Sequence, residues 1–253
     1  CARNGQPAKV AGDDILHDCE KWQYSGISVA NDAPNNAVYS IKNLTVENAR
    51  TYAITSIRHT FYIDGVNILN TREYPDFQSN SDGIGGGKGT VVKNTYIDTW
   101  DDSIKLYREG MHVENVTIVH NANGSPFQIG WGKKPTTNHT LKNIKIVYGA
   151  SKNNRFNLPL FANSGGKVDA HINIDGMVAE YDSSAILSKC TNNQAMPLVY
   201  LKHPQSQLTI TFNQQAPAVF TAPTKYCGEG QLVWPETAAN NTTKESVTGC
   251  LGC

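Results

Sequence analysis

The sequence predicts an all-β solenoid, a right-handed parallel β-helix. Three observations predict it. A short phrase recurs in which Asn or Gly is followed by alternating apolar residues; each copy has the period of two of a brief strand; and no stretch sustains a helical period. A strand this short cannot bury its apolar face alone, so successive copies must stack on one another about 4.8 Å apart. Two-residue hairpin signals are scarce and the phrases recur in one orientation, which sets the competing architecture, a hairpin-built β-sandwich, second.

The phrases, in order, are Lys42-Asn43-Leu44-Thr45-Val46, Ile63-Asp64-Gly65-Val66-Asn67-Ile68, Val92-Lys93-Asn94-Thr95-Tyr96-Ile97, Val113-Glu114-Asn115-Val116-Thr117-Ile118, Leu141-Lys142-Asn143-Ile144-Lys145-Ile146 and, more weakly, Ile172-Asn173-Ile174-Asp175-Gly176-Met177. Their spacing of roughly twenty to thirty residues fits coils of variable turn length. Asn at one recurring position suits a bend, where stacked amides satisfy each other from coil to coil. Before the coils, residues 1–35 read as an irregular N-terminal cap; the β-helix is expected over 36–215, and 216–253, rich in Pro, Thr and Asn, reads as a C-terminal tail. Arg72 to Lys88 and Gly149 to Lys167 read as insertions, which in a solenoid wall a groove.

Cys1, Cys19, Cys190, Cys227, Cys250 and Cys253 lie towards the two ends and leave the repeats free of thiols. They are expected to pin the terminal segments as disulfides, Cys1 with Cys19 and Cys190 with Cys227, although six cysteines allow fifteen connectivities. The lone Cys250-Leu251-Gly252-Cys253 has no second pair and no nearby His, which argues against zinc. Asn43, Asn115, Asn138, Asn240 and Asn241 begin glycosylation sequons, and so does Asn123, a poorer acceptor before Ser125-Pro126. Cysteines and sequons together point to a secreted, extracellular protein. Asn43 and Asn115 occupy the repeat's bend, so they are equally candidates for buried ladder members.

With 253 residues, the chain is long enough for one large all-β domain. Lys and Arg number 22 and so do Asp and Glu, a balance that argues against nucleic acid and weakens the case for a polyanionic substrate such as pectate. No apolar run has the length of a membrane span, so no membrane partner is expected, and no cofactor is expected either. Because the chain opens on Cys1 rather than Met, it is read as a processed or partial product.

Chemistry concentrates at Asp82-Gly83 and the doublet Asp101-Asp102. Asp82 and Asp102 are twenty residues apart, and Ile84 and Ile104 share that offset, so one coil should set Asp82 beside Asp102 with Asp101 next to the pair. Such carboxylates repel, which raises the proton affinity of one of them, and burial adds to this. Hydrolysis of a glycosidic bond needs this division, one carboxyl handing a proton to the leaving oxygen while another activates water. Lys105, at the strand parity of Asp101 and Ser103, is placed to hold negative charge or a sugar hydroxyl. An Asp beside Gly is more often a turn residue, and clustered Asp carboxylates also suit Ca²⁺. Of the aromatic residues near the acids, Tyr74, Trp100, Tyr107, Phe127 and Trp131, only Tyr107 and Trp131 are candidates for sugar binding, the others reading as core or rim. His59, His112 and His120 follow no nucleophile or metal spacing and read as ordinary polar residues.

Asn80-Ser81-Asp82-Gly83, then Trp100-Asp101-Asp102-Ser103-Ile104-Lys105-Leu106-Tyr107, then Phe127-Gln128-Ile129-Gly130-Trp131, resemble the core of glycoside hydrolase family 49, the dextranases and isopullulanases, across roughly Ser40 to Tyr148. The resemblance implies a right-handed parallel β-helix, α-glucan substrates such as dextran or pullulan, and inversion at the anomeric centre. Carried over, it makes Asp101 the general acid, and Asp82 with Asp102 the pair that activates water. The family's N-terminal β-sandwich has no counterpart here, and Gly85-Gly86-Gly87 after the first acid is unusual. The Gly-His-Gly and Arg-Ile-Lys signatures of family 28 polygalacturonases, which share the fold, are absent, so a pectin hydrolase ranks below. Besides a secreted α-glucan hydrolase, a non-catalytic structural or carbohydrate-binding component of an extracellular assembly stays open. Inversion asks that acid and base carboxyls lie about 6.5 to 9.5 Å apart.

Overall fold

A computed structural model describes residues 25–29, 33–34, 37–49, 51–56, 58–71, 81–121, 124–132, 135–148, 160–181, 199–203 and 205–213, and the backbone of the strands Ala2–Arg3, Gln6–Pro7, Ala218–Thr221, Gln231–Val233 and Ser246–Thr248. All six cysteines, the sequons at Asn123, Asn240 and Asn241, and Tyr74 lie outside the described residues. No helix occurs among the described residues, and none is long and apolar enough to cross a membrane.

The chain alternates between two sheets. From Ile54–Thr55 it runs to Thr60–Asp64 and Asn67–Leu69, then Ile84–Gly85, Val91–Thr99, Ile104–Lys105, His112–His120, Phe127–Gly130, Thr136–Tyr148, Phe161–Asn163, Asp169–Tyr181, Val199–Leu201 and Gln207–Phe212. Every second strand belongs to one sheet, and neighbours within each sheet are successive coils paired in parallel. This is the arrangement of a parallel β-helix, with one sheet of long strands and one of short strands. The short sheet ends differently, since Gln231–Val233 pairs antiparallel with Val199–Leu201 and Ser246–Thr248 pairs antiparallel with Gln231–Val233.

Between the sheets, like residues stack on like. On the short sheet Ile54, Ile84, Ile104, Phe127, Phe161 and Val199 follow one another in register, all fully buried. On the long sheet the files Ile41-Ile63-Val92-Val113-Leu141-Ile174-Phe212 and Val46-Ile68-Ile97-Ile118-Ile146-Ala179 do the same. These files form one apolar cluster, which explains why strands of two to thirteen residues with no core of their own are stable only as a stack.

The recurring Asn marks a single bend position. Asn43, Gly65, Asn94, Asn115, Asn143 and Gly176 occupy it in successive coils, all with φ between 49° and 79°. Asn115 Nδ2 donates to Asn94 Oδ1 at 3.1 Å and Asn143 Nδ2 to Asn115 Oδ1 at 2.8 Å, the ladder expected from the sequence, although its members are exposed rather than buried.

Three expectations need adjustment. The sixth phrase begins at Ile174, which pairs with Leu141, not at Ile172. The segments read as insertions each contain a rung, Ile84–Gly85 in the first and Phe161–Asn163 in the second. Coils also grow beyond the expected range. Ile84 to Ile104 takes twenty residues, but Phe127 to Phe161 takes thirty-four and Phe161 to Val199 thirty-eight.

Candidate active site

The short sheet builds the site on its outer face. Ile84 pairs with Ile104 and Gly85 with Lys105, the register expected from the sequence, so Asp82 stands beside Asp102 across two coils. Gly83 fits only because it lacks a side chain, since a Cβ there would collide with the carbonyl oxygen of Ser103. Asp101 and Asp102 sit on the bend between Val91–Thr99 and Ile104–Lys105, where Asp101 Oδ1 accepts the backbone N–H of Asp102 at 2.8 Å. Carboxylate oxygens of Asp82, Asp101 and Asp102 all lie within 4.8 Å of one another.

Lys105 reaches between them. Its Nζ is 2.7 Å from Asp82 Oδ1 and 2.6 Å from Asp102 Oδ2, and both pairs are almost wholly withdrawn from water. The bend at Asp101-Asp102 breaks the strand parity expected of Asp101, Ser103 and Lys105. Lys105 instead meets Asp102, while the Ser103 hydroxyl lies 3.3 Å from the buried His120 ring. Burial alone would strip the lysine of its proton, but the charges of Asp102 and then Asp82 outweigh it and hold the ammonium well above its ordinary range. The Tyr52 and Tyr107 rings face the ammonium at 5.2 and 5.6 Å, and burial pushes both phenols upward.

The three acids are not equivalent. Asp102 is 2 % exposed, Asp82 5 % and Asp101 8 %, so Asp101 is the outermost. Burial first, then the neighbouring charges of Asp82 and Asp102, hold the Asp101 carboxyl well above the usual carboxylate range, as a proton donor requires. Asp102 is surrounded by donors from the next coil: the Ser125 backbone N–H at 3.0 Å and Gln128 Nε2 at 3.3 Å on Oδ1, and Trp131 Nε1 at 3.4 Å on Oδ2. Gly124, at φ 73°, lies so close that a Cβ would come 2.5 Å from Asp101 Oδ1 and Asp102 Oδ1. The acid separation is shorter than the 6.5 Å or so expected for inversion.

Of the expected binding residues, Lys105 joins two of the acids, Tyr107 is buried against it, and Trp131 is 62 % exposed beside Asp102, open for a sugar ring. Phe127 and Trp100 are buried, Phe127 stacking on Phe161 in the core. Tyr52, Ser125 and Gln128 also belong to the site and were not foreseen. Gln128 pairs with Lys105 as Lys105 pairs with Gly85, but its coil is three residues longer, so the twenty-residue spacing carried one coil further stops at Ser125.

His120 is a further addition, lying beneath the acids rather than serving as an ordinary polar residue. Its Nε2 is 3.2 Å from the Gly124 carbonyl oxygen, which only accepts, so Nε2 carries the proton. Nδ1 then accepts from the Ser103 hydroxyl, whose oxygen accepts from Thr99 Oγ1 at 2.7 Å. Burial holds the imidazole down at about 4, so it stays neutral and ties down the segment that presents the Ser125 N–H.

As a donor set, the three carboxylates suit a hard cation such as Ca²⁺. Lys105 nevertheless places its ammonium where such an ion would contact Asp82 and Asp102, so the chain supplies the neutralising charge itself.

Fold and site together define an all-β parallel solenoid with a carboxylate centre on one face, one carboxyl held above its usual range and two sharing a buried lysine. No family model matches the chain. Its sequence is similar to a dextranase of Arthrobacter sp. (strain CB-8), 27 % identical over 114 residues, and to a dextranase of Arthrobacter globiformis, 25 % identical over 114 residues. Each match covers 42 % of this chain and 18 % of the dextranase, so the matched segment spans less than a fifth of these curated relatives. The relationship is distant and dextranase-like.

Proposed function

We propose that this protein is a glycoside hydrolase that cleaves an α-glucan of the dextran or pullulan type, with inversion at the anomeric carbon, on a right-handed β-helix. What carries the reading is the inequality of the acids: Asp101 is the least buried and its carboxyl is held above the usual range, beside Asp82 and Asp102 bound to one ammonium. The similarity to two dextranases supports a glucan as the substrate class. Asp101 gives its proton to the glycosidic oxygen, the bond to the anomeric carbon breaks, and water activated on the Asp82 and Asp102 side attacks that carbon. Carboxylates paired to a buried ammonium are poor nucleophiles but still orient water, which favours inversion over a covalent intermediate. Trp131 offers its exposed face to a pyranose ring.

The same reading makes the protein extracellular, with its six cysteines paired at the termini and its exposed sequons available to glycans. Purified protein is expected to release reducing sugar from dextran or pullulan, and Asp101→Asn to lower the rate at least about a hundredfold with an unchanged circular dichroism spectrum. Intact α-glucans after prolonged incubation would end the proposal. A second reading, a non-catalytic carbohydrate-binding solenoid, draws support from the slight exposure of the acids, and intact glucans that nevertheless retard the protein in affinity electrophoresis would favour it.

A further inference from the structure

We propose that Asp102 takes no proton from water: it is a fixed counter-charge that positions Lys105, and through it Asp82, which is the base. The inference deepens the hydrolase reading and rests on it. An ionised carboxylate offers about four lone-pair directions. Four donors meet those of Asp102: the Ser125 N–H and Gln128 Nε2 on Oδ1, and Lys105 Nζ and Trp131 Nε1 on Oδ2. The Gly124 backbone closes over Oδ1 as well. A general base must present an acceptor to the water proton within about 2.6 to 3.2 Å, and every acceptor direction of Asp102 is already engaged.

Asp101 is the proton donor of the proposed reaction and so is not the base. That leaves Asp82, one coil away and bound through Oδ1 to the same ammonium. Asp102 matters by its charge. It fixes Lys105, shares that cation so that Asp82 is not fully neutralised, and adds to the negative field that keeps Asp101 protonated. In the balanced step the Asp101 proton passes to the leaving oxygen, the C1–O bond breaks, the water oxygen bonds to C1, and the water proton goes to Asp82. Asp102 begins and ends the cycle ionised.

The test compares Asp82→Ala, Asp102→Ala and Asp102→Asn on dextran and on α-isomaltosyl fluoride, whose leaving group needs no proton, with and without sodium azide. Asp82→Ala is expected to lose about a thousandfold in kcat, with azide restoring at least about tenfold and yielding the β-glycosyl azide. Asp102→Asn is expected to stay within about a hundredfold of the parent and to gain nothing from azide. Its alkaline pH limb on dextran should move to lower pH, because Asp101 has lost a neighbouring negative charge. Azide rescue of Asp102→Ala with none of Asp82→Ala overturns the assignment. If the unaltered protein hydrolyses no α-glucan, it is the hydrolase reading that falls. A crystal structure then judges the counter-charge separately: an ordered water bonded to an Asp102 carboxylate oxygen refutes it, and the four protein donors found there alone support it.

Discussion

Lys105 holds a positive charge that the fold has removed from water, and it stays charged only because Asp102 and Asp82 grip it. Breaking a buried ion pair from one side is far more damaging than replacing the whole of it, since the partner charge is left uncompensated. Lys105→Met is therefore expected to lower stability by about 3 to 5 kcal/mol at neutral pH. The stranded carboxylates are costly only while they are charged, so the loss should shrink as pH falls towards 4. Urea denaturation at pH 7 and pH 4.5 checks this, and an equal loss at both would deny the lysine its role. The acids themselves were legible in the sequence because equal spacing to Ile84 and Ile104 fixes their register. Tyr52 was not, because it stands beside a two-residue rung, Ile54–Thr55, too short to show a period, and His120 was not, because its partner is a backbone carbonyl that no side-chain spacing announces.

The stacked Asn bend is the element that most clearly links sequence to fold. Left-handed backbone disfavours residues with a Cβ by about 1 to 2 kcal/mol, with Asn the usual exception and Gly free of the penalty, which accounts for both residues at this one position. Asn115→Ala, which loses both ladder bonds and the conformational preference, is expected to cost about 2 kcal/mol. Asn115→Gly, which loses only the bonds, should cost about 1 kcal/mol or less. Equal thermal shifts in the two variants would remove the backbone argument. A glycan on Asn115 would take one of the two Nδ2 hydrogens and leave one for the donation to Asn94. The long sheet was readable because its strands run to nine or thirteen residues, with alternation that repeats. Most rungs of the short sheet have two or three residues, too few to show any period, which is why two of them were read as insertions.

Over the whole molecule, buried histidines set the acid side of stability. Burial holds His120 and His139 at about 4, below the ordinary imidazole value near 6.5. The unfolded chain then binds protons that the folded chain refuses. Stability is complete above about pH 6.5 and falls towards pH 4 by up to about 1.4 kcal/mol per pH unit for each histidine. Asp101 works in the opposite sense, since its raised folded pKa adds stability on the acid side that is lost as pH rises. Neither ring nitrogen of His139 has a hydrogen-bond partner among the described residues. His139→Phe is thus expected to gain about 1 kcal/mol at pH 7 and more at pH 5, and an unchanged acid slope in the urea midpoints would exclude the histidine as its source.

The distance along the chain from one rung to the next nearly doubles between the acid-bearing coil and the last described ones, yet the file Ile84-Ile104-Phe127-Phe161-Val199 stays in register, the one irregularity falling after Gln128. Length and register are thereby independent variables. Connections between rungs can therefore change length while the carboxylate centre keeps its coordinates.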